Sequence, residues 1–147
     1  MSTLEEHIDI SVPLEDAWAC LHRAEAYPRF LNGVREARSA GERRAHLDID
    51  AGGRAQEFQV EIVDREMENV MTWQTTSGPD LAGTFSLLSI DRGHTRLQAR
   101  FEYDPGTIKE TFGGPQGFAQ AVAIERGVRS DLQQFKELVE AERKTTK

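Results

Sequence analysis

The chain has 147 residues, 38% of them hydrophobic and 29% charged, with 25 acidic against 18 basic side chains for a formal net charge of -7. That length makes one domain, 1–147, with a real core, and the single Cys20 excludes a disulfide framework or a structural zinc cluster. The acidic balance excludes nucleic acid as the main partner, because a phosphate backbone is held by clustered Lys and Arg releasing counterions.

The start, MSTLEEHID, lacks the basic-then-apolar layout of a secretory signal, and no apolar run reaches the roughly 18 residues of a membrane span. The expected address is the cytoplasm, without stable membrane insertion. Glu6 to Val12 then alternates polar and apolar residues, the period of a strand with one wet face. Pro13 ends it. Leu14, Ala17, Trp18 and Leu21 follow at the spacing of one helical stripe, with Glu15 and Asp16 in the first turn where the helix dipole favours acids. A second short helix is expected at Pro28 to Leu31, with Gly33 as its stop.

From Val34 to Tyr103 the pattern becomes a meander of six strands, Val34 to Ala40, Arg44 to Ala51, Arg54 to Asp64, Asn69 to Thr76, Leu81 to Ile90 and Thr95 to Tyr103. Gly41-Glu42, Gly52-Gly53 and Asp91-Arg92-Gly93 supply hairpin chemistry between them, and Arg43-Arg44 reads as the start of a solvated strand. Asp104 to Gly117 has no sustained period and is expected to be a loop, with Thr107 to Gly117 a lid hinged on Gly113 to Gly117. Phe118 to Arg143 is a long amphipathic helix with Ala121, Ile124, Val128, Leu132, Phe135 and Val139 on one face.

This order gives an α+β domain: a curved seven-stranded antiparallel sheet, two short helices and one long C-terminal helix that the sheet wraps. A curved sheet and a straight rod cannot touch along their whole length, so a hydrophobic cavity is expected between them. Its candidate lining is Phe58, Val60, Ile62, Leu97, Phe101, Tyr103, Phe112, Phe118, Val122 and Val128, although plain core packing produces the same periodicity.

The segments Ile8 to Val12 with PLEDAW, AEAYPRFLNGVREAR, MTWQTTSGP, GTFSLLSIDRGHTRLQARFEYDPG and VRSDLQQFKELVE resemble the START-like (SRPBCC, helix-grip) superfamily. The likeness is to its bacterial polyketide cyclase/dehydrase branch and covers essentially the whole chain. The superfamily also holds the Bet v 1-like and coenzyme Q-binding proteins. The resemblance implies a helix-grip fold around a greasy cavity. In the aromatase/cyclases of the branch, a Tyr after the second short helix and a Ser and an Arg on the third meander strand handle a poly-keto chain. The matching positions here are Val34, Val60 and Ile62, which cannot act as acid or base.

Other residues could carry chemistry. His7, His22, His46 and His94 show no i, i+4 pair and no carboxylate at ligand spacing, so neither a metal nor any other cofactor is expected. His46 shares its parity with Arg44, Asp48 and Asp50 and is expected to point to water. Glu36, two residues after Val34, would share its face and is a candidate acid or base if it enters the cavity, as is Tyr103; an acidic residue at a sheet end more often reaches solvent. Tyr27 and Trp73 could orient a ligand through O–H and N–H, with core packing as the plainer role of Trp73. Gly113 to Gly117 lacks the Lys-Ser/Thr of a phosphate-binding loop.

Three functions stay open, in this order: a carrier or binder of a small hydrophobic molecule such as a lipid, quinone or polyketide; a polyketide cyclase/dehydrase; and a protein-interaction module with a collapsed cavity. A monomer and a homodimer both fit.

Overall fold

The alternation at the start of the chain forms β1 (Ser2–Ile10), which begins earlier and ends sooner than Glu6 to Val12. Ser11 and Val12 leave the strand because Val12 is drawn fully into the core, where its carbonyl accepts a buried hydrogen bond from Thr95 Oγ1 at 2.9 Å. The computed structural model describes residues 2–31, 33–41, 43–51, 54–77, 80–112 and 117–145; the side chains of 51, 112, 118, 144 and 145 lie outside that description.

Pro13 precedes α1 (Leu14–Leu21), which buries Ala17, Cys20 and Leu21. A 3-10 turn (Ala24–Ala26) leads into α2 (Tyr27–Phe30), with Pro28 in its first turn. The meander follows as β2 (Val34–Ser39), β3 (Arg44–Ala51), β4 (Arg54–Arg65), β5 (Val70–Ser77), β6 (Leu81–Asp91) and β7 (His94–Tyr103). All seven strands form one antiparallel sheet in the order β1-β7-β6-β5-β4-β3-β2. β1 therefore returns to pair with the last strand, Ser2 opposite Tyr103 and Ile10 opposite Thr95.

The stretch expected as a loop after Tyr103 contains a helix, α3 (Pro105–Phe112). Asp104 starts it: its carbonyl accepts from Ile108 N at 3.0 Å, its Oδ1 accepts from Gly106 N at 2.9 Å, and Pro105 suits a first helical position. Residues 113–116, where a hinge was expected, lie outside the described residues.

The final helix, α4 (Gly117–Thr145), divides into two halves by packing. In its C-terminal half Leu132, Phe135, Leu138 and Val139 are buried, and Phe135 meets Phe30 of α2 edge to face at 5.0 Å. In its N-terminal half Ile124 and Val128 are only half-buried. That half stands off the sheet.

Candidate functional site

The space beneath the N-terminal half of α4 is a cavity of about 500 Å³, within the range typical of small-molecule sites. The sheet supplies most of its wall because period-two alternation aims one face of every strand inward: Ala45, Leu47 and Ile49 from β3, Phe58, Val60 and Ile62 from β4, and Met71 and Trp73 from β5. Leu97, Phe101 and Tyr103 of β7 continue the wall, Tyr27, Phe30 and Val34 close one end, and Ile108 of α3 with Ile124, Val128 and Phe135 of α4 complete it. Trp73 and Phe85 each meet Phe101 edge to face, at 5.9 and 6.0 Å.

Of the residues singled out from sequence, Tyr27, Val34, Phe58, Val60, Ile62, Trp73, Leu97, Phe101, Tyr103 and Val128 all border this cavity. Val122 does not: it sits two residues, about 200° around the helix, from Ile124. The side chains of Phe112 and Phe118 lie outside the described residues. Sequence reading missed Gln120 and Asp131. Both occupy the same helical face as Ile124 and Val128, a signal that an apolar count passes over. Ile108, in the segment expected over the cavity mouth, borders the cavity from α3.

Glu36 is not in the cavity. A bulge between Val34 and Glu36 sets two residues of β2 against one of β3, so Val34 pairs with Ile49 on the inner face while Glu36 pairs with Asp48 on the outer. The parity after the bulge is inverted, and Ala37 rather than Glu36 turns to the core. His46 also departs from expectation. It is on the outer face as its parity requires, yet it is 9% exposed, between Arg38 and Gln59 on the flanking strands.

The polar groups that reach the cavity are few and mostly engaged. Tyr27 Oη donates to the Leu21 carbonyl at 2.7 Å, and burial pushes its phenol above the ordinary range. Gln120 Nε2 donates to the Pro105 carbonyl at 3.0 Å, tying α4 to α3, and Thr75 Oγ1 accepts from Leu81 N at 3.0 Å. Tyr103 is buried at the wall, Glu102 sits at the rim with its side chain about half exposed, and Asp131 is half-buried on α4. Among the described residues no Lys, Arg, His or Cys lines the cavity. An open volume of this size also removes the premise of a collapsed-cavity module.

A family model described as "Polyketide cyclase / dehydrase and lipid transport" matches residues 1–140. The chain belongs to that family. It is 27% identical over 141 residues to an uncharacterised 17.2 kDa protein of Streptomyces lincolnensis, covering 95% of this chain and 91% of that one. Its fold is similar to the Zhui aromatase/cyclase from Streptomyces sp. R1128, with a TM-score of 0.73 and 14% identity over 95% of this chain and 93% of that one. A START superfamily protein from Mycobacterium smegmatis superposes with a TM-score of 0.72 and 12% identity over 99% of both chains. The seven-stranded sheet gripping α4 is thus a START-like, helix-grip fold. Among the described residues no helix is long and apolar enough to cross a membrane.

Proposed function

We propose that this protein binds a small hydrophobic molecule, of the lipid, quinone or polyketide type, in the cavity between the sheet and the N-terminal half of α4. The observation that carries this reading is the chemistry of the wall at Val34, Val60 and Ile62. All three border the cavity, and they match the places where the cyclases that this chain resembles hold their polar groups. Aliphatic side chains there supply contact area and neither donate nor accept a proton. Each methylene buried against such a wall contributes about 0.8 kcal/mol, so a ligand of moderate length is held without polar anchors.

The test is native mass spectrometry of the purified chain, then denaturing extraction and titration with a long-chain fatty acid, a quinone and a polycyclic aromatic polyketide. A retained or saturably bound apolar molecule, lost in Val60→Trp, supports the proposal. An empty chain that takes up none of the three overturns it.

One observation favours cyclase/dehydrase chemistry as a second reading. Tyr103 and Asp131 are ionisable and border the cavity. Turnover of a poly-keto thioester mimic that falls in Tyr103→Phe and Asp131→Asn would support it, and binding without turnover would sink it.

A further inference from the structure

The outer face of the sheet, away from the cavity, carries a second constellation. β3 places His46 and Asp48 two residues apart and hence on one face, and the pairing of β3 with β4 sets Glu57 directly opposite Asp48. His46 Nε2 lies 3.3 Å from Asp48 Oδ1 and 4.0 Å from Glu57 Oε1, and the three donor atoms all fall within 4.8 Å of one another.

We propose that His46, Asp48 and Glu57 form a binding site for a divalent transition-metal ion of the zinc class. Zinc holds imidazole nitrogen and carboxylate oxygen at about 2.0–2.2 Å, so donors at the tetrahedral angle stand about 3.4 Å apart. The separation of His46 from Asp48 already matches. Glu57, whose side chain is 74% exposed, has room to rotate inward toward both His46 and Asp48.

Two further features point the same way. Glu36 pairs with Asp48, which pairs with Glu57, so three carboxylates stand in one row across β2, β3 and β4. Like charges directly opposite on a sheet repel, and among the described residues none of the three makes an ion pair with Lys or Arg. A dication offsets that repulsion. Beside the row is a pit of about 10 Å³ bordered by Glu36, Ala37, Arg38, His46 and Asp48, close to the room that one water-sized body needs. Arg38 is the opposing charge at this pit, and it sits opposite His46 rather than opposite a carboxylate. Imidazole selects zinc, nickel or copper over calcium and magnesium, which prefer all-oxygen sets. Water completes the coordination, and the ion would tie β3 to β4.

The experiment uses the full chain without a histidine tag, freed of metal by a chelator and titrated with Zn²⁺ alone. Calorimetry should read one ion per chain. Imidazole ¹H–¹⁵N spectra should show saturable shifts in one of the four histidines, assigned to His46 by its loss in His46→Gln. Asp48→Asn and Glu57→Gln should each weaken binding at least tenfold, while His94→Gln leaves it unchanged. Absence of saturable binding, shifts centred on His7, His22 or His94, or an unaltered affinity in Glu57→Gln overturns the proposal. The wild-type spectra and the exposed Glu57→Gln keep the test decisive if the buried His46→Gln fails to fold.

Discussion

Gly83 faces the indole of Trp73 across the β5–β6 pair so closely that a Cβ on Gly83 would lie 2.5 Å from Trp73 Cε2 and Nε1. No methyl fits there. Trp73 is itself packed against Phe101 and borders the cavity, so it cannot retreat without disturbing the wall. Gly83→Ala is expected to destabilise the fold by about 1–3 kcal/mol, the usual cost of overpacking. Urea denaturation followed by tryptophan fluorescence checks this, and an unshifted midpoint would show that the indole has another place to go.

Phe135 joins the packed half of α4 to α2. It is 1% exposed and stacks edge to face on Phe30. Phe135→Ala should cost about 3–5 kcal/mol, the sum of lost transfer energy and a residual cavity. Calorimetric unfolding should register a correspondingly large fall in Tm, and a shift of only a degree or two would mean that the helix carries little of the core.

The bulge in β2 makes the two sides of the sheet separable by mutation. Ile62→Glu puts a carboxylate into the apolar cavity and should weaken binding of a hydrophobic probe at least tenfold, equivalent to about 1.4 kcal/mol. Glu36→Gln should leave the same titration unchanged, because Glu36 is exposed on the other face. A loss of binding in Glu36→Gln alone would place that carboxylate inside after all.

Acid stability should depend on Asp9. Arg96 donates to it from Nε at 2.7 Å and from Nη2 at 3.2 Å, and that hydrogen bonding holds the Asp9 carboxyl below the ordinary aspartate value. The folded value is the lower one, so the stabilisation is complete above the unfolded pKa of about 3.9 and is lost as pH falls through the folded pKa. The stability gap between wild type and Asp9→Asn should be steady near neutrality and close in strong acid. Denaturation curves at a series of pH values measure it, and an equal gap at both ends would rule out the ion pair as its source.

Strand alternation made much of the cavity readable in advance. Phe58, Val60, Ile62, Leu97 and Phe101 turn inward because nothing interrupts the period of two between them on β4 or β7. Glu36 was misread because one inserted residue inverts everything beyond it, and no special residue type marks this bulge. α3 went unread even though Asp104-Pro105 is a helix start, since the Gly and Pro residues around it carry no apolar period. The outer-face cluster was legible in principle. His46 and Asp48 are two apart on one strand, and Ala51 pairing with Arg54 fixes which β4 residue opposes each, but a search for helical spacing does not look there.

The sheet is open, with β1 and β2 as its two edges. Unpaired edge amides and carbonyls are the usual template on which a foreign strand grows. Here helix side chains engage backbone groups at both edges: Lys136 Nζ donates to the Asp9 carbonyl at 3.1 Å, Glu140 accepts from Ser11 N, just past the end of β1, at 2.7 Å, and Glu25 accepts from Ser39 N at 3.3 Å. Lys136 and Glu140 are also paired with each other at 2.5 Å. A second chain adding by strand pairing would have to break a linked set of charges at one rim and expel a carboxylate at the other, so the charges of the helices oppose edge-to-edge growth.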